Sequence, residues 1–147
     1  LHLKVEISQH AQVAVIIHTP VIYSGRSFVP AHFSLETMMA GKILACLERS
    51  FQAGSAAMVK GRDFYDLLWF MQQRIQPLEE KLAKDGLQQY TVQTAMHALK
   101  EKMTVIKPKD LAVDLLPMFE ERTFIQAWVE AFQDNFQRYV ENYLSQQ

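Results

Sequence analysis

The sequence predicts an α+β fold, with short N-terminal β-strands followed by a mainly α-helical bundle, because its hydrophobic period changes once along the chain. Residues 1–8, LHLKVEIS, alternate strictly: Leu1, Leu3, Val5 and Ile7 share one face, and His2, Lys4, Glu6 and Ser8 the other. The segment VAVIIHTPVIY is dense in β-branched residues, and from Ser34 onward apolar residues recur at helical spacing. These observations predict a single unit over 1–147, with strands and loop over 1–33 and helices over 34–147.

Each element follows from local chemistry. Pro20 interrupts the second strand or places it at an edge, since proline cannot donate to a ladder. SGRSFVPAHF reads as loop, with Gly25 and Pro30 as breakers. Ser34 is an N-cap for a helix over about 35–51, whose buried stripe is Leu35, Met38, Met39, Ile43, Leu47 and Phe51. After a connecting loop closed by Gly61, residues 62–73 carry Phe64, Leu67, Leu68 and Met71 at i, i+3, i+4 and i+7. Pro77 starts a third helix that ends at Asp85-Gly86, and Thr91 opens a fourth to about 102. Residues 109–116 form a short helix before Pro117. A last helix over about 123–144 bears the stripe Phe124, Trp128, Phe132, Phe136, Tyr139, Val140 and Tyr143.

Composition narrows the function classes. Fifteen basic and sixteen acidic residues give a formal charge of −1, so any nucleic-acid or membrane patch must be local. The single Cys46 cannot form an internal disulfide framework, which points to a reducing, cytoplasmic compartment. The longest aliphatic run, Val13 to Ile17, is too short to span a bilayer, so no membrane role and a soluble chain are expected. No P-loop, GxGxxG, GxSxG or HExxH occurs. The chain opens on Leu1 inside a strand pattern, which suggests a piece whose upstream part is missing.

Three features carry candidate chemistry. In VKGRDFYDLLWF, Lys60, Arg62, Asp63 and Asp66 crowd against an apolar helix. The plainer reading is a helix start with carboxylates near its positive end and flanking salt bridges. The functional one has the cations contacting a phosphate-bearing substrate while the aspartates fix those cations. Glu6 is either part of a solvent-facing strand side or a carboxylate aimed into a cleft, able to hold Mg²⁺ or accept a proton. Lys42, after Gly41, either snorkels to solvent or reaches a nucleotide phosphate. A second basic stretch, Lys100, Lys102, Lys107 and Lys109, reads as a solvated loop or as a contact to an RNA backbone.

In this order, the strand with Glu6, the helix LETMMAGKILACLER and the block KGRDFYDL resemble the latter part of the AbiEii/AbiGii nucleotidyltransferase toxin family. That block is similar to the family's K-x-R-D-x-Y-D-L motif, and the helix to one in which a lysine and a trailing arginine recur. The resemblance implies that the strands are the remnant of a nucleotidyltransferase sheet. It implies a bacterial toxin of a toxin–antitoxin or abortive-infection system that transfers a nucleotide from a nucleoside triphosphate with Mg²⁺. Glu6 then takes an acidic, metal-binding place in the catalytic site, and Lys42 the nucleotide-phosphate place. Lys60, Arg62, Asp63 and Asp66 lie near the catalytic cleft, with Asp63 or Asp66 as proton acceptor or orienting group.

The family's Gly-Ser turn and paired carboxylates are not found in the sequence ahead of Lys42, where Glu6 is the one acidic candidate on a strand. Two-metal transfer needs more than one carboxylate, so the chain by itself is expected to be inactive and the activity to belong to an intact parent. A non-catalytic helical interaction module, exposing apolar residues around Phe132, Phe136 and Tyr143, is the alternative. Candidate partners are a cognate antitoxin, an RNA acceptor and a second copy of the chain.

Overall fold

The computed structural model describes residues 11–49 and 59–145. The predicted strand over 1–8, with Glu6, lies outside them. The described chain has four short strands followed by six α-helices, the order expected of the α+β class.

β1 (Ile16–His18) pairs antiparallel with β4 (Ala31–Phe33), and β2 (Val21–Tyr23) with β3 (Arg26–Phe28). The two ladders keep one register, Ile16 facing Phe33 and Val21 facing Phe28, so they are halves of a single ribbon. Pro20 and Pro30 divide it, since neither offers an N–H to a ladder. Ser24 (φ 49°) and Gly25 (φ 73°) close the ribbon, both with the positive φ that a two-residue hairpin of matching twist requires. The stretch expected to be loop, residues 24–33, thus supplies a turn and two strands: Gly25 reverses the chain and Pro30 merely interrupts pairing.

α1 (Leu35–Glu48) begins at Ser34, whose Oγ accepts the Thr37 N–H at 3.3 Å. Its predicted stripe needs correction. Thr37, Met39, Ala40, Ile43, Leu44 and Cys46 are buried, while Leu35 and Met38 are exposed and Phe51 lies outside the described residues. The cause is tertiary: α1 touches three helices, so its buried arc is wider than a stripe and is rotated from the one that spacing suggests. α2 (Gly61–Gln72) buries Phe64, Leu67, Leu68 and Met71 as expected, together with Asp63. α3 (Glu79–Asp85) starts after Leu78 rather than at Pro77, and α4 (Val92–Met103) is opened by Thr91, whose side chain exchanges hydrogen bonds with Thr94.

α5 (Pro108–Leu115) has Pro108 at its first turn, and Pro117 falls in a 3₁₀ turn that ends it. α6 (Arg122–Leu144) packs across α2, α4 and α5. Phe132, Phe136, Val140 and Tyr143 of its stripe are buried and Trp128 and Tyr139 half-buried, but Phe124 is exposed. Phe64 of α2 meets Phe132 edge-on at 6.1 Å between ring centres. Because Phe132, Phe136 and Tyr143 are inside, the apolar docking patch expected around them is absent. Among the described residues no helix is long and apolar enough to cross a membrane.

The ribbon is fastened to the helices by its stem. The Val13 N–H donates to both carboxylate oxygens of Asp85, at 3.2 and 3.1 Å, and the Val15 N–H donates to Thr37 Oγ1 at 3.0 Å. Lys81 Nζ donates to Asp85 Oδ2 (2.7 Å), Gln12 Oε1 (3.0 Å) and the Val13 carbonyl (3.2 Å). Burying this lysine is tolerable because acceptors surround its charge.

Candidate functional site

Lys42 and Arg49 are seven residues apart on the α1 segment, two helical turns, and so come to one side. Asp63 and Asp66, one turn apart on α2, face them. Lys42 Nζ lies 3.0 Å from Asp63 Oδ1 and 2.7 Å from Asp66 Oδ2, and Arg49 Nη1 lies 2.9 Å from Asp63 Oδ2. Asp63 is buried, whereas the side chains of Lys42, Arg49 and Asp66 keep 29%, 38% and 44% of their surface. The buried carboxylate thus sits behind the cations that it holds.

The electrostatics follow from this arrangement. Burial pushes the Lys42 pKa down, but hydrogen bonds to Asp66 and Asp63 and their charges outweigh it and raise it above the ordinary lysine value. Asp63 Oδ2 is buried with no aligned hydrogen bond despite Arg49 at 2.9 Å, so that approach is an electrostatic contact in which no N–H points at the oxygen.

Lys42, Arg49, Asp63 and Lys81 line a cleft of about 300 Å³ together with Gln12, Thr37 and the apolar Phe33 and Met38. The ribbon stem supplies one wall and α1 the other. A Cβ at Gly41 would lie 3.6 Å from Lys81 Cε, so the small residue before Lys42 lets Lys81 lie against α1.

The other expected site residues fall elsewhere. The Arg62 N–H donates to Asp114 Oδ2 at 3.1 Å, and its side chain is exposed. Lys60 lines a small cavity of about 10 Å³ behind Asp63 with Cys46, Arg49 and Lys102. Among the described residues neither Lys60 nor Arg62 pairs with a carboxylate. The aspartates therefore hold cations from α1 rather than the adjacent Lys60 and Arg62. Arg49 and Lys81 were not among the expected site residues. Arg49 had a signal in its two-turn spacing from Lys42, whereas Lys81 and Asp85 at i, i+4 look like an ordinary surface pair.

A family model described as nucleotidyl transferase AbiEii toxin, type IV toxin–antitoxin system, matches residues 1–147. The chain belongs to the AbiEii family. No curated protein and no solved structure matches it. In this AbiEii chain Lys42 and the aspartates of the KGRDFYDL block meet where α1 packs on α2. The Mg²⁺ implied by nucleotidyl transfer does not fit the carboxylates seen in this AbiEii chain. Asp63 and Asp66 share the Lys42 ammonium, which a divalent ion would have to displace, and among the described residues no three His, Cys, Asp or Glu side chains gather to hold a metal.

Proposed function

We propose that this chain supplies the cationic wall of a nucleotide site in an AbiEii-type nucleotidyltransferase toxin, with Lys42 and Arg49 as the groups that meet the triphosphate. The observation that carries this reading is their convergence on one buried carboxylate, Asp63. A carboxylate behind a lysine and an arginine limits their rotamers, so phosphate oxygens meet donors already in place. Asp63 is then an orienting group rather than a proton acceptor, because its two oxygens are engaged by Lys42 and Arg49. Asp66 holds Lys42 from the solvent side. Lys81, committed to Asp85 and the ribbon stem, shapes the cleft and adds positive potential at its edge.

Transfer itself needs carboxylates free to bind metal, and Asp63 and Asp66 are engaged. No transfer step is therefore assigned to them, and Glu6 stays the candidate metal-binding residue. A bacterial, cytoplasmic toxin with a cognate antitoxin is the setting that fits the family.

Nucleotide binding by the natural full-length protein tests the reading. By isothermal titration with each nucleoside triphosphate, Lys42→Ala and Arg49→Ala should each weaken binding by roughly tenfold or more, the loss of one charge-assisted contact. Binding by both variants at wild-type strength would overturn the proposal.

A further inference from the structure

Four lysine side chains among the described residues stand apart from the ion pairs. Lys42, Arg49, Lys81, Lys84 and Lys100 each pair with a carboxylate, whereas among the described residues Lys60, Lys102, Lys107 and Lys109 have none within ion-pair distance. These four are neighbours. Lys60 and Lys102 line the small cavity behind Asp63, and Lys102, Lys107 and Lys109 line a cleft of about 410 Å³ where α4 ends and α5 begins. Val59 and Lys102 border both concavities, which therefore meet edge to edge.

The surroundings offset only part of this charge, with Asp110 in the larger cleft and Asp63, already engaged by Lys42 and Arg49, beside the smaller one. Lys102 Nζ donates to the Leu47 carbonyl at 3.1 Å, which places the ammonium without neutralising it. Asp110, the acidic residue of the larger cleft, accepts the Lys107 backbone N–H at 3.1 Å and so closes the first turn of α5. The remaining lining is apolar, Val59, Val105 and Ile106, with Val105 exposed. A free phosphate ion would use one or two of these cations and gain nothing from an apolar floor. A polymer with phosphates at regular intervals, and sugars and bases between them, matches both the row and the floor.

We propose that the row Lys60, Lys102, Lys107 and Lys109 binds the phosphodiester backbone of a single-stranded polynucleotide. This surface is separate from the Lys42–Arg49 wall and stands whether or not that wall takes a nucleotide. Lys102 is the fixed point of the row, and Lys107 and Lys109, both exposed, are its adaptable end.

Fluorescence anisotropy with a short mixed-sequence single-stranded RNA, run over a salt series on the natural full-length protein, tests the proposal. Wild-type binding should weaken with salt, with a log–log slope that grows by about 0.7 per phosphate contact. Lys107→Gln with Lys109→Gln changes only exposed side chains and should weaken binding at low salt by roughly tenfold and reduce the slope by about 1.4. Arg26→Gln, at the tip of the ribbon, should leave binding unchanged, and Lys42→Ala should leave the RNA slope unchanged even where it reduces nucleotide binding. The proposal is overturned if the wild type does not bind, if the double variant keeps the wild-type slope, if Arg26→Gln weakens binding equally, or if excess nucleoside triphosphate displaces the RNA.

Discussion

Arg49 Nη1 lies 2.9 Å from Asp63 Oδ2, yet that buried oxygen has no aligned hydrogen bond. An acceptor in this state has lost its water without full replacement, so Asp63 depends on the charges of Arg49 and Lys42. Asp63→Asn removes the negative charge and leaves Arg49 without its partner, and it should cost about 2 kcal/mol of stability. Asp66→Asn acts on a half-exposed group and should cost less than about 1 kcal/mol. Urea unfolding reads both, as a lower midpoint at unchanged slope. Equal losses would remove Asp63 from its central place.

Two glycines should answer oppositely to alanine. At Gly61 a Cβ would lie 2.7 Å from the Leu111 carbonyl oxygen and 3.1 Å from Leu115 Cγ, where α2 crosses α5. Backbone cannot yield as a side-chain tip can, so Gly61→Ala should destabilise by about 1–3 kcal/mol despite its better helix propensity. At Gly41 the nearest atom, Lys81 Cε, is 3.6 Å away, so Gly41→Ala should stabilise by about 0.5–1 kcal/mol. Thermal midpoints of the two variants should move in opposite directions.

The ribbon stem should loosen in acid. Burial pushes the Asp85 carboxyl up, but the Lys81 hydrogen bond, the Val13 N–H and the Lys81 charge outweigh it and hold it below the usual value. A pKa lowered in the folded state gives stability that is present above the unfolded value of about 3.9 and is lost as pH falls through the folded one. The stability difference between wild type and Asp85→Asn should therefore persist at neutral pH and shrink below about pH 4. Faster exchange of the Val13 amide at low pH, measured by NMR, should accompany it; protection unchanged to the acid limit would count against the clasp.

Cys46 should be inert in the folded protein. Burial, and after it the charge of Asp63, push its thiol far up, and the opposing effects of Lys102, Lys42 and Arg49 are smaller. A thiol-specific disulfide reagent should react with it only at the rate of unfolding, and in full in denaturant. Rapid native-state reaction would contradict its burial.

The aromatic seam should dominate the core. Phe132 is buried against Phe64, Trp128 and Phe136, with ring centres 6.1, 4.8 and 5.2 Å away. Phe132→Ala should cost about 3–5 kcal/mol by removing a large side chain whose space cannot close. Phe124, nearly half exposed on the same helix, should cost under about 1 kcal/mol as alanine. Denaturation of the two variants side by side separates the buried part of the stripe from its exposed end.

The legible parts of this protein were those set by local chemistry. The Ser34 and Thr91 caps, the short helix before Pro117, the buried stripe of α2 and most of that of α6 follow from neighbours within a few residues, and they stand close to where spacing placed them. The ribbon was only half legible. Its β-branched first arm has an evident strand composition, but the returning arm is recognisable only once Gly25 has turned it back on its partner. The exposed Leu35 and Met38 mislead for the same kind of reason, because which arc of α1 is buried depends on three helices that spacing cannot place.

For the candidate site, the sequence by itself determined the family and the lysine and aspartates worth inspecting. What only the tertiary structure decided is whom those charges serve. Asp63 sits one residue from Arg62, yet it holds Lys42 and Arg49 from another helix, because α2 turns Asp63 inward against α1 and leaves Arg62 in solvent. Side-chain direction on a helix is local, but the partner found in that direction is set by packing between elements distant in sequence.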